Sequence, residues 1–374
     1  MSAAIISGTG LHIPPYAISN EELVSSFNEY VARYNRTHAE EISRGVLEAL
    51  AESSIDFIIK ASGIENRYVV DREGILDPRR MMPRLRERPD EELSILAEMA
   101  VEAARGALAD AGNNSEQIDC VIVACSNMQR AYPAIAIEVQ QALGMSGFAF
   151  DVNVACSSAV FGIRIASGMI AAGEIHSALV VSPEICTGHL DFRDRDSHFI
   201  FGDVATAVLL ESEERCSSPR GFAILGTKAR TIFSNNIRNN FGFLNRTHLG
   251  AETSTSGRLF KQRGRRVFKE VVPLVAELIR EHLEELQIPA DRLERIWLHQ
   301  ANIHMNVAIA SKVLGEGFAP ERVPNVLREF ANTSSAGSII AFHRHRDDLA
   351  SGALGLLCAF GAGYSAGSVI LRRA

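Results

Sequence analysis

Residues 150–162 read FDVNVACSSAVFG, and how this stretch is parsed decides the fold. The apolar run FAFDVNV (148–154) reads as a buried strand ending at Val154. Cys156 then falls at the start of a helix made largely of Ala, Ser, Gly and Ile. The unpaired N–H groups and partial positive charge of a helix N-terminus stabilise a thiolate in that position. The small residues let the helix sit deep in a core. Taken alone, Cys156 is either a nucleophile so placed or one more buried thiol, the fate of most free cysteines.

The same strand–helix rhythm extends to both sides. Upstream and downstream of the cysteine, residues 3–8, 119–125, 177–182 and 204–210 read as buried strands. Helical patterns lie at 91–111, 134–144 and 157–172, the first and last closed by Gly112 and Gly173 as C-caps. The rhythm then repeats: a strand at 222–229, a helix at 264–287, a strand at 294–298, helices at 302–314 and 336–350, and strands at 353–360 and 366–372. This is an α/β chain whose halves, 1–215 and 216–374, suggest an internal duplication. Residues 25–95 break the alternation. They are rich in charge, carry a helical pattern at 38–52, and are expected to form an inserted helical cap over the core.

Composition narrows the function classes. Of 374 residues, 47% are hydrophobic and 22% charged, the balance of a globular protein. A net charge of −7 and a pI near 5.9 argue against general affinity for nucleic acid or anionic membrane. The first residues, MSAAIISGTGLHIPPY, have no positive n-region or long apolar stretch and no run of about 18 uninterrupted apolar residues occurs, so neither a signal peptide nor a membrane span is expected. The six cysteines are scattered without metal-ligand spacing, which suits reduced thiols in the cytoplasm and no structural metal.

Two further segments carry chemistry. In WLHQANIHM an apolar strand delivers His299 to a strand end that opens onto the helix beginning near Asn302. In FANTSSAGSI, Asn332 lies just before a helix rich in small residues. Each has an ordinary alternative, a satisfied polar group or an N-cap. Together, a thiol, an imidazole and an amide at three strand-to-helix junctions are the parts of an acyl-transfer site. The tail AFGAGYSAGS (359–368) adds a tight turn able to aim N–H groups at an oxyanion.

On these motifs, with FIFGDVATAVLL (199–210) and LHQAN (298–302), the sequence resembles the β-ketoacyl-acyl-carrier-protein synthase III family. That resemblance implies a thiolase-like fold: two duplicated βαβαβαββ halves forming a five-layered αβαβα core. It also implies a decarboxylative condensation without cofactor. Cys156 would carry the acyl group, while His299 and Asn332 hydrogen-bond the malonyl thioester. The N–H groups of Cys156 and Ala362 would hold the acyl carbonyl. Relatives usually have glycine at Ala362, and alanine serves there only with a negative φ. Related thiolases use a Gly-His-Pro segment and a second cysteine; Asn332 replaces that histidine here, and Cys358 reads as a buried strand thiol. Elongating synthases use Cys-His-His, which Asn332 also disfavours.

Several positions bear on substrate. The family segment that grips coenzyme A aligns with IDFIIKASGI (55–64), which offers Phe57 and Lys60 and has Ala61 in place of an arginine. Phe201 and Asn302 are expected at the wall of the site, His304 where relatives use an arginine for carrier contact, and Tyr132 across a homodimer at the acyl pocket. The expected primer is therefore an acyl thioester longer than acetyl-CoA, with the 25–95 insert reshaping the tunnel mouth. The basic run KQRGRRVFK offers Lys261, Arg263, Arg265 and Arg266 as a docking patch for an acidic acyl-carrier protein. Two alternatives stand beside this one. The first is an acyltransferase or specialised-metabolite synthase that does not use malonyl-acyl-carrier protein. The second is a non-catalytic acyl-binding protein.

Overall fold

The computed structural model describes residues 3–113, 118–242, 247 and 257–374. The chain opens with β1 (Ala4–His12), β2 (Tyr16–Ser19), α1 (Asn20–Thr37), α2 (Ala39–Ser43), α3 (Ile55–Ser62), β3 (Asn66–Val69) and α4 (Glu73–Leu76). It continues through α5 (Ile95–Ala111), β4 (Cys120–Ala124), α6 (Ile135–Ala142), β5 (Phe148–Val152), α7 (Ser158–Ala172), β6 (Ser177–Ile185) and β7 (Asp203–Ser212). Then come β8 (Phe222–Ser234), β9 (Ile237–Arg238), β10 (Lys261–Gln262), α8 (Gly264–Glu285), β11 (Leu293–Leu298) and α9 (Ile303–Leu314). The last elements are α10 (Leu327–Phe330), α11 (Gly337–Arg344), β12 (Leu354–Gly361) and β13 (Gly363–Arg373).

Nine strands form one sheet in the order β11-β12-β13-β8-β1-β7-β6-β4-β5. The duplication is visible in that order. Counted outward from the short β1–β8 joint (Ile5 opposite Ala223, Ile6 opposite Phe222), each side places its first strand beside its last and then its next-to-last. Three apolar clusters separate the layers. α5 and α6 cover the outer face of the β4, β6 and β7 side, while α8 and α9 cover the outer face of the β11, β12 and β13 side. Between the two sheet halves lie α7 and α11. The layers therefore run α, β, α, β, α, and both central helices begin at the same place. Gly112 and Gly173 cap α5 and α7 in the left-handed conformation, as the sequence predicts.

Three expectations need correction. The pattern at 38–52 is not one helix: the helix is α1, started by a Ser19–Glu22 capping box, and only Ala39–Ser43 continues as α2. Beyond it, the side chain of Asn35 bonds both the N–H and the C=O of Leu50 (2.9 and 3.0 Å). Asn28 does the same for Ser53 (2.8 and 3.1 Å), so backbone groups that a helix would pair internally are satisfied from α1. The helix expected at 336–350 stops at Arg344. There the His345 carbonyl accepts from Trp297 Nε1 and Arg295. The strand at 148–154 is not buried: β5 is the sheet's edge strand, half-exposed, with Phe148 47% accessible. The stretch Ala155–Ala172 is by length and composition apolar enough to cross a membrane. Its helical part, α7, is packed between the two sheet halves.

Residues 16–76 form a cap with its own apolar cluster. Ile18, Leu23, Phe27, Ile58 and Ile64 pack there against Phe192, Phe199 and Phe201 of the core. This packing brings Ala61 and Ser62 of α3 to the mouth of the central cavity.

Candidate active site

Cys156 sits where the chain leaves β5 and enters α7. Asn153 Oδ1 accepts the Ala155 N–H (3.0 Å), and the Ser158 hydroxyl accepts the Val154 N–H (2.8 Å), which tightens the turn ahead of the helix. Ala155 has φ 48°, a strained value for alanine. The Ser334 hydroxyl donates to Cys156 Sγ at 3.4 Å, and the backbone N–H groups of Cys156 and Ala362 also reach the sulfur. Ala362 lies outside the positive-φ region, so its N–H is presented without strain. Burial pushes the thiol up to about 11, and these three donors act the other way. The resting group is therefore a thiol held by donors placed to stabilise charge at that point.

His299 follows β11. Its N–H donates to the Cys358 carbonyl (2.8 Å), and its ring meets Phe360 edge-on, with centroids 5.3 Å apart. Burial holds the imidazole down to about 4, so the ring is neutral, while a backbone hydrogen bond with Ser334 acts in the opposite sense. Its Nδ1 is buried with no partner among the described residues. Asn332 is fixed by backbone pairing with the FIFGD segment: its N–H donates to Ile200 (3.0 Å) and its carbonyl accepts from Gly202 (3.1 Å). Its Oδ1 accepts the Ser334 N–H (2.9 Å), which leaves the amide NH2 as a donor. Ala331 and Ser334 have φ values of 56° and 49°, so backbone strain is concentrated on both sides of Asn332.

These residues meet. Cys156, His299 and Asn332 all line one cavity of about 260 Å³, with Phe201, Asn302, Met305, Phe360 and Gly361 in its wall. Phe201 is buried and packs edge-on against Phe260 (4.8 Å). The Asn302 side chain is occupied as the N-cap of α9 and as a donor to the Ala61 carbonyl (2.7 Å). Phe57, Lys60, His304 and Tyr132 stand outside the cavity wall. Phe57 is clamped between Phe199 and the Arg195 guanidinium, which lies 4.1 Å from its ring centroid. His304 Nε2 bonds the Lys60 carbonyl (3.1 Å) across the surface joint between cap and core. Tyr132 is 85% exposed. Lys261, Arg263, Arg265 and Arg266 are exposed around the start of α8, whose Gly264, Val267 and Phe268 line the cavity. Among the described residues no group of three or more acidic, histidine or cysteine side chains is placed to hold a metal ion.

Ser334, Gly361, Arg195 and Glu184 belong to the site or its surround and escape sequence reasoning. The hydroxyl run after Asn332 was the only local signal for Ser334. Gly361 has a spatial reason: a Cβ there would stand 2.6 Å from Cys156 Cβ. Cys358 is a fully buried β12 residue, pushed far above the usual thiol range by burial.

A duplicated five-layered frame with a thiol, an imidazole and an amide at one cavity defines the thiolase-like acyl-transferring enzymes. Comparison with known proteins gives the particular family. Residues 150–231 match the model for 3-oxoacyl-[acyl-carrier-protein] synthase III, and residues 283–373 match its C-terminal counterpart. A β-ketodecanoyl-[acyl-carrier-protein] synthase of Pseudomonas aeruginosa is 59% identical over 353 residues, covering 94% of this chain and all of the relative. A β-ketoacyl-[acyl-carrier-protein] synthase III of Bartonella bacilliformis is 28% identical over the full length of both. Among solved structures, the 3-oxoacyl-(acyl carrier protein) synthase III of Pseudomonas aeruginosa superposes with TM-score 0.76 at 25% identity, over 99% of this chain and 98% of that one. The enzyme of the same name from Aquifex aeolicus gives the same score and identity over 99% of each chain. The chain belongs to the 3-oxoacyl-[acyl-carrier-protein] synthase III family and is a condensing acyltransferase of fatty-acid synthesis.

Proposed function

We propose that the enzyme joins a medium-chain acyl primer to malonyl-acyl-carrier protein through an acyl-Cys156 intermediate. The observation that carries this reading is the convergence of Cys156, His299 and Asn332 on one cavity, the first two from strand-to-helix junctions and Asn332, against the sequence expectation, from the turn between α10 and α11. In the first half-reaction Cys156 sulfur attacks the primer thioester. The acyl–sulfur bond of the primer breaks, the proton of Cys156 passes to the departing thiol, and the Cys156 and Ala362 N–H groups stabilise the oxyanion. In the second, malonyl thioester loses carbon dioxide. Neutral His299 and the Asn332 amide donate to its carbonyl as enolate charge develops, and the enolate carbon attacks the acyl carbon. Cys156 leaves as thiolate and takes up a proton.

The eight-carbon range is favoured by the relative at 59% identity, whose name gives a ten-carbon product; two of those carbons come from the malonyl unit. An apolar groove of about 500 Å³ lies against Ala155 and Ala362, with Thr231, Ile232 and Phe233 in its wall, and offers room for such a chain. Its outer face is open. A homodimer in the cytoplasm is part of the same proposal: the half-exposed edge strand β5 and the exposed Tyr132 and Phe233 are surfaces a second copy would cover. So are the halves 1–215 and 216–374, a role for Phe57 and Lys60 at the coenzyme-A end, and acyl-carrier-protein docking on Lys261, Arg263, Arg265 and Arg266. No cofactor or metal is needed for either step. Turnover of octanoyl-CoA against acetyl-CoA, read as malonyl-dependent release of carbon dioxide, tests the proposal. Preference for acetyl-CoA refutes the primer class, and acyl transfer without carbon dioxide refutes condensation in favour of a plain acyltransferase.

A further inference from the structure

Glu184, near the end of β6, is only 1% exposed and has no place in the mechanism above. Its Oε1 accepts the N–H groups of Ser126 (2.9 Å) and Ser335 (3.2 Å) and the Ser335 hydroxyl. Its Oε2 accepts the Ser126 hydroxyl at 2.6 Å and lies 3.9 Å from Cys186 Sγ. Ser126 follows β4, whereas Ser335 belongs to the turn that carries Asn332 and Ser334. One carboxyl group thus spans the strand ends behind the nucleophile and the loop that supplies the amide and the Sγ-bonded hydroxyl.

The groups that face it share a character. Cys125 approaches from the end of β4, Cys156 from the start of α7, and Cys186 from its own segment, with Asp203 of β7 also facing Cys186. Asn127, beside Ser126, leads to His189, which burial holds neutral, down to about 4. No lysine, arginine or histidine forms an ion pair with Glu184 among the described residues. A carboxylate there is a buried charge compensated only by hydrogen bonds, and its negative field opposes ionisation of Cys156.

We infer that Glu184 is a positioning residue: it fastens the Asn332–Ser335 loop to the end of β4, and its protonation governs how readily Cys156 releases its proton. With Glu184 neutral, the clamp persists and the opposing charge is gone. Burial pushes the group up to about 7, within the working range, against the four hydrogen bonds that hold it down. The inference rests on the reading of Cys156 as the nucleophile.

The test compares full-length wild type, Glu184→Gln and Glu184→Ala. In Glu184→Gln the amide oxygen can take the two backbone N–H groups while the NH2 donates to Ser126 Oγ, as the protonated acid would. The readout is the rate of Cys156 alkylation by iodoacetamide, resolved by peptide mass, as a function of pH. Glu184→Gln should move the profile down by about one pH unit where wild-type Glu184 is ionised, or roughly tenfold in rate at fixed pH well above about 7 and below the thiol midpoint, and the two profiles should converge below about pH 6. Glu184→Ala should free the loop and lower kcat by about tenfold or more, with KM for the primer little changed. If Glu184→Ala fails to fold, the glutamine comparison decides alone. A Glu184→Gln profile that superimposes on wild type overturns the inference, because a purely structural clamp would leave it unmoved. Alkylation needs no acyl donor, so this failure is separate from a failure of Cys156 to take up an acyl group.

Discussion

Gly361→Ala should disable the enzyme while leaving it folded. The new Cβ would stand 2.6 Å from Cys156 Cβ and 3.1 Å from its Sγ. Carbon–carbon contacts settle at about 3.5–4.0 Å, so about 1 Å of overlap must be relieved. β12 cannot retreat easily, because Gly361 is paired opposite Ser365 on β13 and the strand is buried along its length. Cys156 cannot swing freely either, since α7 is packed between the two sheet halves. The overlap is therefore shared between a strand shift and displacement of the thiol. Overpacking of this kind costs about 1–3 kcal/mol of stability. A displacement near 1 Å at a reacting atom costs about 100-fold in rate. Thermal unfolding should show a fall of a few degrees. Acylation of Cys156, followed by intact mass, should slow by about 10- to 100-fold. A variant that acylates within threefold of wild type would refute the packing argument.

Four other outcomes follow from the same geometry. His299→Ala, and separately Asn332→Ala, should accept the primer on Cys156 but release carbon dioxide from malonyl-acyl-carrier protein about 100-fold more slowly; equal loss in both half-reactions would contradict the division of roles. Because burial places the Cys156 thiol at about 11, wild-type alkylation should keep climbing to pH 9, less steeply near pH 7 where Glu184 ionises and more steeply above pH 8. A plateau below pH 8 would mean that the helix N-terminus outweighs burial. His299, held down to about 4, stays neutral at higher pH, so decarboxylation by preloaded acyl-enzyme should be flat from pH 8 to about 6. Reversing charge at Arg265 and Arg266 should raise KM for the carrier-bound substrate several-fold and spare a coenzyme-A-bound one, and a uniform effect would remove the docking role.

The frame and the three central residues were legible because their signals are local. Alternating apolar strands and helices, left-handed glycine caps at Gly112 and Gly173, and junction residues at 156, 299 and 332 all lie within short windows. The cap was misread for a physical reason. Its charge-rich helix α1 carries a Ser19–Glu22 capping box that was there to be seen, but residues 45–54 are held by asparagine side chains from α1, a tertiary effect that mimics no local pattern. Ser334 and Glu184 were illegible because their partners are remote in sequence: Ser334 reaches Cys156 across 178 positions, and Glu184 reaches Ser335 across 151. The exposure of β5 was hidden as well. An apolar strand at a sheet edge and one in the interior read alike from periodicity alone. Ala362 meets the one condition set for an alanine at that position, since its φ is not positive and its N–H reaches the sulfur.

The most direct test of the central claim is intact-protein mass after wild type and Cys156→Ala are each incubated with acyl-CoAs of two to twelve carbons. The account predicts a single acyl adduct on wild type, strongest near eight carbons, and none on Cys156→Ala. An adduct of equal size on Cys156→Ala would contradict it, as would a wild-type enzyme that no acyl-CoA or acyl-carrier-protein donor can label.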